Sequence, residues 1–140
     1  MSRARPRSAA GSPARSARGD RARREGRGAE VVAALWLMAQ GWRVLGFRIP
    51  SALGEIDLLV RRGRVLAVIE VKRRRSLEEA LSAVTSQQRA RLRAAARAII
   101  SRRTDLADLA VRLDLVALGP GSWPRHIADA WPEDGGGGWA

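Results

Sequence analysis

The sequence predicts an α/β domain. Three observations carry that class: two stretches of helical periodicity, five short strand-like stretches around them, and a length of 140 residues that suits one domain. Residues 28–40 form the first helical stretch, with Val31, Leu35 and Met38 recurring on one face and Ala33, Ala34 and Leu37 widening the stripe. Gly41 is its natural stop. Residues 42–49 read as a first strand, followed by a turn through Pro50 and Ser51. Residues 55–61 and 64–72 read as two strands around a tight turn at Arg62-Gly63. Residues 76–84 carry no decisive pattern. A second helix opens on a capping box, Thr85 with Gln88 three residues on; Leu92, Ala95, Ala96, Ile99 and Ile100 are its apolar positions. Residues 111–118 read as a further strand and residues 125–131 as an edge strand. In domain terms, residues 1–23 are a disordered basic tail, 24–131 the folded unit and 132–140 a flexible glycine-rich tail.

Composition narrows the chemistry. With no cysteine, the chain has no disulfide framework, thiolate zinc site or thiol nucleophile, and its single histidine, His126, excludes a multi-histidine metal cage. A bound metal would have to be held by carboxylate oxygens, which favours magnesium or manganese. The longest strongly apolar run, residues 31–39, is about half of a membrane span, and no secretory leader is visible, so a cytoplasmic protein is expected. The net charge of +12 makes a polyanion the expected partner. Residues 1–27 hold nine arginines against Asp20 and Glu25, leaving 17 of the 26 basic and 12 of the 14 acidic groups to the rest, which is therefore positive as well.

Lys72 is the only lysine; the other 25 basic residues are arginine. Where a chain uses arginine for every ordinary positive charge, a lone lysine marks a position that requires a compact, mobile ammonium. It stands in Glu70-Val71-Lys72, with Asp57 thirteen residues upstream of Glu70 in Gly54-Glu55-Ile56-Asp57. A two-residue loop at Arg62-Gly63 pairs Ile56 with Ile69, Leu58 with Ala67 and Val60 with Val65, an all-apolar face. The other face then carries Glu55 opposite Glu70, Asp57 opposite Val68, and Lys72 beyond. Carboxylates directly opposite each other repel unless a cation or a shared proton lies between them. A divalent ion resolves that conflict, lowers the pKa of a bound water and neutralises phosphate charge, while the lysine orients that water or stabilises the transition state. The competing reading is a solvated sheet face with a Glu-Lys surface pair. For Glu30, in the first turn of the first helix, the helix dipole alone explains a carboxylate.

The segments Gly26-Arg27-Gly28-Ala29-Glu30, Gly54-Glu55-Ile56-Asp57-Leu58-Leu59, Ile69-Glu70-Val71-Lys72-Arg73-Arg74, Ala83-Val84-Thr85 and Arg112-Leu113-Asp114-Leu115-Val116 resemble the YraN-type family of small bacterial proteins, in that order and spacing. That family looks like a compact branch of the PD-(D/E)xK nuclease superfamily, close to the archaeal Holliday-junction resolvases. The resemblance implies a restriction-endonuclease-like core, a mixed sheet of four to five strands flanked by a helix on each side. It implies a metal site of Glu30, Asp57 and Glu70, with Lys72 as the catalytic lysine and Glu55 a further motif residue. Junction-cleaving relatives act as dimers, so it also implies a homodimer as a candidate assembly. Two positions depart from the pattern: Gln88 stands where relatives commonly have lysine, and Ile56 replaces the superfamily's proline.

These readings predict an endonuclease-like protein that uses magnesium or manganese to hydrolyse phosphodiester bonds, in DNA rather than RNA, with branched or damaged DNA as candidate substrates. The alternatives are a non-catalytic nucleic-acid-binding module and an interaction protein of a DNA-processing complex. Arg73, Arg74 and Arg75 follow the site and are candidate phosphate contacts, as are Gln88 and Arg89; Arg89, Arg93 and Arg97 form one helical stripe. Asp114 is read as a structural partner for an arginine and His126 as a polar surface residue; the scattered Trp36, Trp42, Trp123, Trp131 and Trp139 are read mostly as core or edge-packing residues, with base stacking open to Trp123 but not indicated by the spacing.

Overall fold

The computed structural model describes residues 28–132, so the basic N-terminal tail and residues 133–140 lie outside it. Helix α1 (residues 28–39) leads into β1 (Arg43–Ile49), β2 (Ile56–Arg62) and β3 (Val65–Arg73). Helices α2 (Leu77–Ser82) and α3 (Ser86–Arg102) and a 3-10 turn (Thr104–Leu106) then lead to β4 (Ala110–Leu118) and β5 (Arg125–Ile127). The five strands form one sheet in sequential order. All neighbours are antiparallel except β3 and β4, which run parallel, joined by the α2–α3 crossover. This is the mixed α/β architecture expected, with helices on both faces.

Each sheet face has its own core. On one, Leu66, Val68, Leu113 and Leu115 pack with Ala80 of α2 and Leu92, Ala95 and Ala96 of α3. On the other, Leu58, Val60, Ala67 and Ile69 pack with Ala29, Ala33, Ala34 and Leu37 of α1 and with Trp42. Period-two alternation along β3 sends successive side chains into the two cores.

Four expectations need correction. First, α1 buries its alanine face, and Val31, Leu35 and Met38 are exposed. Both stripes have helical spacing; the small one wins because alanines let the helix lie close to the sheet. Gly41, at φ +90°, ends α1 in a Schellman arrangement, with Trp42 N–H on the Leu37 carbonyl and Gly41 N–H on that of Met38, both at 3.0 Å. Trp42 thus belongs to the helix cap, and β1 starts one residue later.

Second, the hairpin loop is Gly63-Arg64, because Arg62 pairs with Val65, Val60 with Ala67 and Leu58 with Ile69. Gly63 has φ +58° while Arg64 stays out of the left-handed region, the sign pattern of a type II′ turn, which takes glycine first. The shift of two residues preserves the faces but changes the partners. Third, Ile56 packs in the α3-side core rather than with Leu58. The pleat is interrupted beside it, where Arg48 of β1, across from Asp57, takes φ +45°. Fourth, β5 is three residues long. Asp129 turns to φ +48°, and its N–H goes to the Asp114 side chain (2.9 Å) in place of a strand partner.

The undecided stretch 76–84 is helical: Ser76 caps α2 by accepting from the Glu79 N–H. The capping box of α3 is formed, with Thr85 accepting from Gln88 N–H (3.1 Å) and Gln88 accepting from Thr85 N–H (3.0 Å).

Candidate functional site

The β2–β3 ladder is regular up to Leu58 and Ile69. One step further, the same register sets Asp57 across from Glu70, where a diagonal relation was expected. Here a side chain takes over from the backbone: Val71 N–H donates to Asp57 Oδ2 at 2.9 Å. Asp57 is thereby fixed against β3, where its charge bears on Glu70. Lys72 Nζ lies 3.1 Å from Glu70 Oε1. Glu70 and Lys72 continue the row of Leu66 and Val68 on the sheet face that α3 covers. The competing reading of a solvated sheet face does not hold at Glu70, whose side chain is only 12 % exposed.

Burial governs the charges. It pushes the Glu70 carboxyl up from 4.5 to about 7, with the charge of Asp57 adding to it and Lys72 opposing. Asp57 is also raised, by burial first; the Val71 N–H pulls it down and the nearby Glu30 pushes it up. Two partly desolvated carboxyls and one ammonium leave an excess of negative charge that a cation would relieve.

Glu30, 8 % exposed in the first turn of α1, is bound by Arg48 (Nε to Oε2, 2.7 Å). Sequence reasoning missed Arg48. Nothing distinguishes it among 25 arginines, and its left-handed backbone is visible only in the fold. Glu55 does not join the pair: it is exposed in the turn before β2, and its charge bears on Arg48. Its expected position opposite Glu70 is taken by Asp57, a consequence of the Gly63-Arg64 turn.

Among the described residues, no group of three or more histidine, aspartate or glutamate side chains is arranged to hold a metal. The donor chemistry still fits a hard cation. Asp57 and Glu70 are adjacent oxygen donors in electrostatic conflict, and the charge of Glu30 bears on Asp57 while Glu30 itself is paired with Arg48.

The other named residues fall outside this cluster. Arg73 ends β3, Arg74 and Arg75 follow it, and all three are exposed; Arg74 and Arg75 line a cavity. The Gln88 carbonyl is engaged in the cap of α3. Arg89 lies over the Trp131 ring (5.9 Å) and Arg93 donates to the Trp131 carbonyl (2.7 Å), so two of the three stripe arginines pack against the protein. Asp114 is fully buried. It takes both arms of Arg112 (2.9 and 2.8 Å) and His126 Nε2 (2.7 Å), the arginine partner expected of it. Burial alone would raise its carboxyl, but His126, Arg112 and the Asp129 N–H outweigh that and hold it below the usual range. His126 is thus part of a buried network, not a free surface group. Its ring meets Trp42 edge-on at 5.8 Å, and Trp42 is also covered by Arg62 at 4.6 Å.

Residues 29–118 match the Uncharacterised protein family UPF0102. The chain belongs to that family. A UPF0102 protein of Caulobacter vibrioides (strain NA1000 / CB15N) is 60 % identical over 117 residues, 84 % of this chain and 94 % of the relative. One from Caulobacter sp. (strain K31) is 60 % identical over 121 residues, 86 % and 87 % of the two chains, and one from Rhizobium meliloti (strain 1021) is 47 % identical over 111 residues, 79 % and 91 %. The UPF0102 match contains Glu30, Arg48, Asp57, Glu70 and Lys72 and stops at the end of β4. No helix among the described residues is long and apolar enough to cross a membrane.

Proposed function

We propose that this UPF0102 protein is a metal-dependent endonuclease-like hydrolase of the PD-(D/E)xK type, acting on phosphodiester bonds in DNA, branched or damaged DNA among its substrates. One observation carries the reading: the chain's sole lysine contacts Glu70, whose carboxyl is held near 7 by burial and by Asp57 across the hairpin. A partly buried pair of like charges is costly as a structural device and useful as a cation site. Asp57 and Glu70 would hold magnesium or manganese, with Glu30 as third ligand, and the ion would supply an activated water and charge neutralisation. The chain's own part is positional. The Val71 N–H orients Asp57, and Lys72 presents its ammonium to the attacking water or to a phosphate oxygen.

The test is cleavage of linear and four-way-junction DNA, with magnesium and with chelator. Lys72→Ala should lower the rate by at least about 100-fold and leave DNA binding nearly unchanged, because one charge among many phosphate contacts adds little affinity. Equal cleavage by Lys72→Ala and the parent refutes the role given to Lys72, and no cleavage by the parent refutes the hydrolase. One observation favours a second reading, a binding module without turnover: Arg48 already neutralises Glu30 and occupies part of the ligand set. Metal-independent DNA binding without cleavage is its signature.

A further inference from the structure

Where parallel β3 and β4 end, at Arg73 and Leu118, a cavity of about 350 Å³ opens between the β3–α2 connection and the β4–β5 loop. Crevices outside the carboxyl ends of parallel strands are where open α/β sheets bind ligands. Arg74, Arg75 and Arg125 line this one, together with Ser76 and Ser122. Among the described residues, no ion pair ties Arg74, Arg75 or Arg125 to a carboxylate. The loop is held close: a side-chain carbon on Gly119 would lie 3.3 Å from the Arg74 carbonyl and 3.1 Å from Ser122 Oγ.

The same loop carries Trp123, which is 77 % exposed. One side of its ring meets Trp36 of α1, with centroids 5.5 Å apart, and the core makes no use of the rest. An exposed indole held in place by a second indole, one residue from a serine that lines an arginine pocket, matches what single-stranded nucleic acid requires: an aromatic platform for a base and cations for its phosphate.

We propose that this end of the sheet binds single-stranded nucleic acid, with one base stacked on Trp123 and a neighbouring phosphate in the Arg74–Arg75–Arg125 pocket. The inference rests on the nucleic-acid reading above and adds the form of the substrate: an unpaired segment next to the carboxylates, such as a flap or an opened junction arm.

The test reads binding apart from cleavage. The full chain is titrated, in chelator and at moderate salt, into a labelled oligothymidine of about 12 nucleotides and into a duplex of the same length, followed by anisotropy. Trp123→Ala should weaken oligothymidine binding by about tenfold and duplex binding by less than about twofold, because paired bases cannot stack on the indole. Trp123→Phe should retain most of the affinity. Arg75→Gln with Arg125→Gln should lower affinity and reduce the slope of log K against log salt by about 0.7, the share of one phosphate on a single strand. Unchanged oligothymidine binding by Trp123→Ala, or equal losses for both nucleic acids, overturns the proposal. Stacking that depends on Trp123 in a protein that never cleaves would sink the hydrolase alone. Cleavage with binding indifferent to Trp123 would sink this inference alone.

Discussion

Replacing Glu70 by glutamine should make the metal-free protein more stable at alkaline pH, an unusual result for removing a charge from an ion pair. The carboxyl is raised in the folded chain from 4.5 to about 7. A carboxyl whose folded value lies above its unfolded one adds stability that is fully present below the unfolded value and disappears as pH rises through the folded one. For Glu70 the loss therefore runs from about pH 4.5 to just above 7. At 1.36 kcal/mol per pH unit the gap corresponds to at most about 3 kcal/mol. Asp57 and Glu70 titrate as a pair and Lys72 offsets part of the cost, so about 1–3 kcal/mol is expected. Glutamine has nearly the same shape and no charge. In chelator at pH 8, Glu70→Gln should exceed the parent by that amount, and near pH 4.5 the two should converge. The assay is urea unfolding of both proteins across this range; groups that do not interact with Glu70 cancel in the difference. A difference that stays constant with pH, or a parent more stable than the variant at pH 8, would show that the pair is not in conflict. The argument for a cation would then lose its basis.

Two further perturbations probe the surroundings. Arg48→Ala leaves Glu30 buried without its guanidinium, and in chelator it should lower the urea midpoint. If Glu30 is a metal ligand, magnesium should raise the melting temperature more for this variant than for the parent, and an equal rise removes Glu30 from the ligand set. Asp114→Ala strips both arms of Arg112 and the ring of His126 of their acceptor, and should cost about 3–5 kcal/mol in urea unfolding. A loss under about 1 kcal/mol would mean the network is incidental.

The strands and helices were legible because each carries its own periodic signal. The capping box at Thr85 and Gln88 and the stop at Gly41 are local rules that the fold obeys. Which face of α1 is buried was not legible: Val31, Leu35 and Met38 and the alanine stripe have the same spacing, and only the depth of the sheet beneath decides between them. The hairpin register turned on one glycine. Placing Gly63 second in the loop gave the right faces with the wrong partners, because moving the turn by one position shifts every pair by two. So the convergence of Asp57, Glu70 and Lys72 on one sheet end was readable, and the opposition of Asp57 to Glu70 was not. Arg48 was beyond reach, since its role depends on a left-handed backbone within a strand. The platform at Trp123 depends on Trp36, 87 positions earlier in the chain, and no local pattern links them.

The site exists where the hairpin stops being a hairpin. Up to Leu58 and Ile69 the two strands are in register, and Leu58, Leu59, Val60, Leu66, Ala67, Val68 and Ile69 are buried apolar side chains on both faces. Beyond that point the β2–β3 pairing ends, and the partly buried Val71 N–H takes a side-chain acceptor. Asp57 provides it through Oδ2, which fixes the carboxylate and leaves Oδ1 directed elsewhere. An asparagine could make the same hydrogen bond without opposing Glu70. Structural need therefore accounts for an acceptor at position 57 but not for its charge, and the uncompensated charge is what points to a cation and to the chemistry proposed for it.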